Sequence, residues 1–198
     1  MHDPAHPDHE LPQRLWRELD QALQQRGHAW RTPVLATTDA EGWAQARTVV
    51  LRAVDPERAQ LRFYTDSRSP KVGELVAQPR ATLVFWSSEL QWQLRVQGRC
   101  EVRTQGIEVE EAWDRVRHTA SAGDYLSATA PGSAHPAPMP SPQTTRATHS
   151  EPAALLADGG HHLAVVIVQV VSMDWLALSR AGHQRARWQE GRLTWLVP

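Results

Sequence analysis

The stretch "TPVLATTDAEGWAQARTVVLRAVD", residues 32–55, decides the fold class. Its alternation of apolar and polar residues predicts a strand on each side of a turn at Asp39–Gly42, with the second strand continuing to Asp55. Five further segments carry strand patterns: "AQLRFYTD" (59–66), "RATLVFWSS" (80–88), "LQWQLRVQGRCEVR" (90–103), "HHLAVVIVQVVSMDWLAL" (161–178) and "RARWQEGRLTWLVP" (185–198). Consecutive strands with hairpin turns and no regular βαβ alternation predict a mainly β (α+β) protein, an antiparallel barrel with a few flanking helices.

The remaining segments predict three helices and two unstructured regions. Apolar residues at helical spacing indicate helices at 11–26, 69–77 and 106–118. Residues 1–10 are interpreted as a disordered tail, and residues 11–198 as a single domain. Within that domain, the Pro-, Ala-, Ser- and Thr-rich residues 127–152 predict a long flexible loop, and a helical turn is expected at 153–157.

Composition limits the classes of function. The formal net charge of the 198 residues is -1, which is not the basic field of a typical nucleic-acid binder. The apolar run Leu163–Val171 is too short to span a bilayer, and the first ten residues do not have the pattern of a signal peptide. The single cysteine, Cys100, cannot form a disulfide within the chain. We therefore expect a cytoplasmic protein without nucleic-acid or membrane partners. The three histidines of residues 1–10 lack a fixed geometry, so no metal site is expected.

The stretch "FYTDSRSPK", residues 63–71, predicts an anion site. A strand ends at Tyr64–Thr65, and a helix begins with Ser69 as N-cap and Pro70 at its first position. Hydroxyls, free backbone N–H groups and the cations Arg68 and Lys71 therefore meet at one corner, where a phosphate is the most plausible ligand.

Three strands place polar side chains where a ligand could reach them, although each pattern is also typical of an exposed strand. Arg47 and Arg52 bracket an apolar run and point to opposite faces unless a bulge intervenes. On the later strands, one face is predicted to carry Gln91, Gln93 and Arg95, and another is predicted to carry His183, Arg185 and Arg187. Solvated arginines, a polar solvent face and a charged edge strand are the respective alternatives.

Taken in order, these segments resemble the pyridoxamine 5'-phosphate oxidase group of FMN-binding split-barrel proteins. The resemblance is strong over residues 33–118 and looser over 160–198, and "TDSRSPK" is its most specific part. It implies a homodimer with FMN at the interface and residues of both chains in each site. The resemblance implies a set of cofactor-binding residues, to which the hydroxyl of Ser69 is added. They are Arg47, Thr48, Val49, Val50, Leu51, Arg52, Tyr64, Thr65, Ser69, Lys71, Gln93 and Arg185.

The resemblance implies a less well preserved substrate site, at Arg52, Trp113, Arg117, Ser121 and His183. Pro70 and Ala181 stand where the oxidases have arginines, and Arg68 is a candidate for the missing cation. The sequence identifies no catalytic residue, because a flavin itself carries the redox chemistry. We expect an FMN-dependent oxidoreductase with an unassigned small-molecule substrate. The alternatives are a non-catalytic flavin carrier or sensor, a true pyridoxamine/pyridoxine 5'-phosphate oxidase, and a structural protein without cofactor.

Overall fold

The computed structural model describes residues 7–134 and 160–198 as an antiparallel β-structure with flanking helices. Its helices are α1 (Pro7–Gln24), α2 (Pro70–Ala77) and α3 (Ile107–Val116). Its strands are β1 (Val34–Thr38), β2 (Ala44–Thr48), β3 (Leu51–Asp55), β4 (Gln60–Asp66), β5 (Arg80–Ser87), β6 (Trp92–Arg103), β7 (Leu163–Ala177), β8 (Gln184–Gln189) and β9 (Arg192–Leu196).

The strands form one sheet in the order β2-β1-β5-β6-β7-β4-β3, and β8 and β9 extend from β7. Long strand β7 pairs along its length with β6, while its other edge pairs first with β4 and then with β8. Strands β2 and β3 follow each other in sequence but lie at opposite ends of this path. The short link between them therefore connects the two edges of the sheet, which is the arrangement of a barrel.

The sequence prediction of one long strand up to Asp55 is wrong. The chain leaves β1 after Thr48, where the Val49 amide donates to the Pro33 carbonyl at 2.9 Å, and β3 then pairs with β4. Alternation cannot reveal this change of partner, because Val49, within the break, and Leu51, at the start of β3, are both buried and keep the two-residue pattern. The turn at Asp39–Gly42 is confirmed: the Asp39 amide donates to the Trp43 carbonyl at 3.0 Å, and Gly42 has φ +87°.

Helix boundaries also differ from the predictions. Helix α1 begins at Pro7, inside the predicted disordered tail, and ends at Gln24 rather than Arg26. On α3, Val109, Ala112 and Val116 are buried, whereas Ile107 is 67% exposed. The predicted loop beyond residue 134 and the predicted helical turn at 153–157 lie outside the described residues.

Apolar burial explains how the helices attach to the sheet. Leu15 and Leu19 of α1 are fully buried in the main core, where they join Trp30, Phe63 and Phe85. A second cluster packs α3 against the first half of β7. Helix α2 packs on β1 and β6 and buries Val72 and Leu75, and its first turn follows shortly after the end of β4. No helix among the described residues is long and apolar enough to cross a membrane.

Candidate functional site

The corner between β4 and α2 is built around a single ammonium group. Lys71 is the one lysine in the sequence, and its Nζ donates to Thr65 Oγ1 at 3.0 Å and to Ser69 Oγ at 2.5 Å. Ser69 is the N-cap of α2, as predicted, but its hydroxyl makes no capping hydrogen bond. Both hydroxyls can therefore turn their protons toward a bound anion while Lys71 holds their oxygens.

The corner carries positive charge that its own residues do not neutralise. Burial and the nearby Arg47 guanidinium lower the pKa of the Lys71 ammonium. Within the described residues, Lys71 has no carboxylate as an ion-pair partner. A half-buried ammonium that holds only neutral hydroxyls fits the phosphate end of a nucleotide cofactor.

Arg47 lies beside this corner but already has a carboxylate partner. Its guanidinium donates to Glu74 of α2, at 3.0 Å to Oε2, and also to the Thr37 hydroxyl. Glu74 accepts a hydrogen bond from Thr37 as well. The three side chains tie β1, β2 and α2 together, so Arg47 is fixed in position next to Lys71.

Arg68, the candidate for the missing cation, is already paired with a carboxylate at this corner. Buried Asp66 accepts from the Arg68 amide at 2.8 Å, from its Nε at 3.0 Å and from a terminal nitrogen at 2.7 Å. Burial raises the pKa of the Asp66 carboxyl, but these hydrogen bonds outweigh it and the pKa lies below its ordinary value.

The expected row of free backbone amides is largely occupied too. The amides of Ser67, Ser69 and Val72 donate to carbonyl groups within the protein. The Arg68 amide is likewise taken by Asp66. The donors that remain for a phosphate are therefore mainly side-chain groups, namely the Lys71 ammonium and two hydroxyls.

Arg52 lies in different surroundings from Arg47. Its guanidinium carbon is 5.6 Å from the ring centroid of Tyr64, and both residues line a cavity of about 210 Å³. Arg31 and Arg115 also line that cavity, and a terminal nitrogen of Arg115 is 3.4 Å from the Tyr64 hydroxyl. Sequence reasoning missed these two arginines, which no strand or helix pattern associates with Tyr64.

The polar faces predicted on β6 and β8 come together across β7. Gln93 and Arg185 are both paired with Leu176, one from each side, so the three residues form one row of the sheet. The neighbouring row contains Arg95, Asp174 and Arg187. His183 does not belong to this face, because β8 begins at Gln184 and the His183 ring accepts from the Ser179 amide in the preceding loop.

The residues expected to bind substrate are not gathered into one cavity. The Trp113 ring stacks on His161 with centroids 4.4 Å apart, and Arg117 pairs with Asp114 at 3.2 Å. Neither Arg117 nor Ser121 lines the cavity that holds Arg52. A larger cavity, of about 560 Å³, lies elsewhere, between strands β1, β2, β5 and β6, and includes Thr37 and Gln97.

The fold is thus that of a small antiparallel β-barrel protein with a cation and two hydroxyls at one strand-to-helix corner. Residues 13–104 match the family model described as "Pyridoxamine 5'-phosphate oxidase, FMN-binding domain". This segment, somewhat less than half of the chain, belongs to the pyridoxamine 5'-phosphate oxidase-related FMN-binding split-barrel family, and FMN is the cofactor of that family.

Two curated relatives are named pyridoxine/pyridoxamine 5'-phosphate oxidase. The protein from Rubrobacter xylanophilus is 37% identical over 136 residues, which cover 68% of this chain and 58% of the relative. The protein from Bordetella petrii is 34% identical over 118 residues, which cover 60% of this chain and 53% of the relative. The chain thus spans somewhat more than half the length of these relatives.

Two solved structures share the fold over the whole chain. PhzG from Burkholderia lata, in complex with tetrahydrophenazine-1-carboxylic acid, has a TM-score of 0.70 at 21% identity and covers 100% of this chain and 98% of its own. A pyridoxamine 5'-phosphate oxidase-related, FMN-binding protein from Nostoc punctiforme has a TM-score of 0.68 at 19% identity, with both chains covered completely. These likenesses confirm the predicted split-barrel fold.

Proposed function

We propose that this protein is an FMN-dependent oxidoreductase whose cofactor lies between the two subunits of a homodimer. The observation that carries the proposal is the Lys71 corner, which offers charge and hydroxyl donors to a phosphate within the segment that matches the FMN-binding domain. The phosphate of FMN would lie against Lys71, Thr65 and Ser69, with Arg47 beside it. When bound, FMN supplies the two-electron redox chemistry of its ring.

The distance between the two groups of proposed cofactor residues supports a shared site. Thr65 pairs with Ala164 of β7, whereas Gln93 and Arg185 pair with Leu176 of the same strand. Twelve positions of extended chain separate Ala164 from Leu176, which is roughly 35–40 Å. One FMN molecule cannot bridge that distance within one subunit. The Lys71 corner of one subunit would therefore face Gln93 and Arg185 of the other.

The row on β6 and β8 can recognise the edge of a flavin ring. The amide of Gln93 offers a donor and an acceptor on one side chain. Arg185 is held rigidly, because its Nε and one terminal nitrogen donate to Asp174 at 3.1 and 3.0 Å. A fixed positive group at the ring edge would stabilise negative charge that develops there on reduction.

Mixed dimers test the shared site. Lys71→Ala removes the corner, and the double variant Gln93→Ala, Arg185→Gln removes the facing row. In a dimer that contains one subunit of each kind, one site carries both defects and the other site is intact. Equal mixing with subunit exchange should restore tight FMN binding to about one site in four. Binding that stays weak after proven subunit exchange would contradict the shared site.

Spectra and turnover test the activity itself. Protein purified with its cofactor should be yellow, and mass spectrometry of the released ligand should identify FMN. Reduction would be assayed with NADH, NADPH and pyridoxine 5'-phosphate, and turnover with any of them supports the oxidoreductase. A yellow protein that none of them reduces would instead be a flavin carrier or sensor. A colourless protein that fails to bind added FMN would overturn the proposal.

Oxidation of pyridoxine or pyridoxamine 5'-phosphate is a second candidate, favoured by the names of the curated relatives. Ala181 argues against this candidate, because the oxidases that the sequence resembles have a substrate-binding arginine at that position. Losing a charged hydrogen bond of that kind costs about 1.5–3 kcal/mol, a factor of about 10–100 in affinity. The pyridoxine phosphate assay decides this point. We also propose a cytoplasmic location, consistent with the single cysteine.

A further inference from the structure

Three arginines converge on one carboxylate in the middle of the β6–β7–β8 surface. Asp174 Oδ2 accepts hydrogen bonds from Arg95 at 2.8 Å, from Arg185 at 3.0 Å and from Arg187 at 3.2 Å. The Asp174 side chain is only 7% exposed, whereas those of Arg95 and Arg187 are 40% and 46% exposed. The carboxylate is therefore covered, and the guanidinium groups reach solvent.

The three arginines carry more positive charge than Asp174 neutralises. They also have more hydrogen-bond donors than the cluster has acceptors. Three guanidinium groups against one carboxylate leave a net charge of about +2. The buried Nε of Arg95 has no hydrogen-bond partner among the described residues. A buried donor without an acceptor is unfavourable, so an external acceptor at this position would stabilise the protein.

A concave space lies next to these donors. Arg95 and Arg187 line a cavity of about 210 Å³ together with Thr82, Gln97 and Ser172. The Ser172 hydroxyl donates to the side-chain Oε1 of Gln97 at 3.0 Å, so the Gln97 side-chain nitrogen is not used in that hydrogen bond. Apart from Asp174 itself, none of the lining side chains is acidic.

We propose that this cavity binds an oxyanion, the carboxylate or phosphate group of a small molecule, between the guanidinium groups of Arg95 and Arg187. Planar guanidinium groups recognise such oxyanions with paired, charge-assisted hydrogen bonds. Asp174 is the positioning residue that orients the three arginines. Within one subunit this site is separate from the Lys71 corner, since Asp174 lies ten positions along β7 from Ala164, the residue paired with Thr65. In the proposed dimer it lies beside the row of Gln93, Leu176 and Arg185 that faces the flavin.

Calorimetric titration of inorganic phosphate into FMN-saturated protein at low chloride tests the site, because FMN then occupies the Lys71 corner. Lys71→Ala provides a second background in which that corner is removed whether or not FMN binds. Arg187→Gln should weaken phosphate binding at least tenfold in both backgrounds. Arg58→Gln is the matched control, since Arg58 is an exposed arginine paired only with Asp55 in the described chain. It should leave phosphate binding unchanged.

A folded second variant keeps the test decisive. Arg95→Lys retains the charge but loses the Nε donor, so it should also weaken phosphate binding, with a circular dichroism spectrum like that of the unmodified protein. Competition by acetate would show that a carboxylate suffices, and no competition would show that the site requires phosphate. Absence of phosphate binding in both backgrounds, or equal affinity in Arg187→Gln and Arg58→Gln, would overturn the proposal. If the protein fails to bind FMN, the phosphate titration of Lys71→Ala still tests this cavity, because that background does not depend on FMN.

Discussion

Lys71 and Arg47 place two positive charges side by side at the start of α2, and only Arg47 is paired with a carboxylate. Because Lys71 has no carboxylate partner among the described residues, it is the residue on which we expect anion binding to depend. Lys71→Ala should weaken FMN binding at least tenfold, because a charge-assisted hydrogen bond contributes about 1.5–3 kcal/mol. Fluorescence titration of FMN into the apoprotein measures the affinity. Arg58→Ala removes a distant cation and should have no effect; unchanged affinity in Lys71→Ala would place the phosphate elsewhere.

Because Lys71 is the one lysine, its protonation can be measured directly. Reductive methylation with ¹³C-formaldehyde labels only Lys71 and the N-terminal amine, which serves as an internal reference. Without FMN, Glu74→Gln should lower the pKa of Lys71 further, since the Glu74 charge favours the ammonium form. FMN should raise the pKa of Lys71 in both proteins, because a phosphate dianion stabilises the ammonium. A pKa that does not change with FMN would contradict contact between Lys71 and the phosphate.

The stability contributed by Asp174 should depend on pH. Burial raises the pKa of its carboxyl, but hydrogen bonds from Arg185, Arg95 and Arg187 outweigh burial and hold the pKa below the ordinary value of 3.8. The contribution is therefore complete well above pH 3.8 and is lost as the pH falls through the folded-state pKa. Asp174→Asn should lower the urea midpoint at pH 7 and have a smaller effect near pH 3. Equal effects at both pH values would show that the charge is unimportant.

Gly98 should not tolerate a side chain. A Cβ at this position would lie 2.4 Å from Val168 Cγ1 and 2.8 Å from the Gln169 carbonyl oxygen, at the register shift between β6 and β7. Gly98→Ala should therefore destabilise the protein by about 1–3 kcal/mol in urea unfolding.

Gly73→Ala is the matched control for Gly98→Ala. Gly73 lies in α2, and a Cβ there has no neighbour within 4 Å. Its replacement should be neutral or stabilising by up to about 1 kcal/mol, since alanine favours the helix. If Gly98→Ala loses no more unfolding free energy than Gly73→Ala, the steric argument is wrong.

The sequence by itself determined the strands, the hairpins and the corner at Tyr64–Lys71, because two-residue alternation, turn residues and an N-cap followed by proline are local signals. It also determined the family, through "TDSRSPK". Only the tertiary structure decided the partners of the charges. Glu74 is paired with Arg47, and Asp174 is paired with Arg95, Arg185 and Arg187, because the fold brings these distant positions together. The break between β2 and β3 was likewise decided by pairing with distant strands, because the apolar residues Val49–Leu51 have the same sequence pattern in one strand or in two.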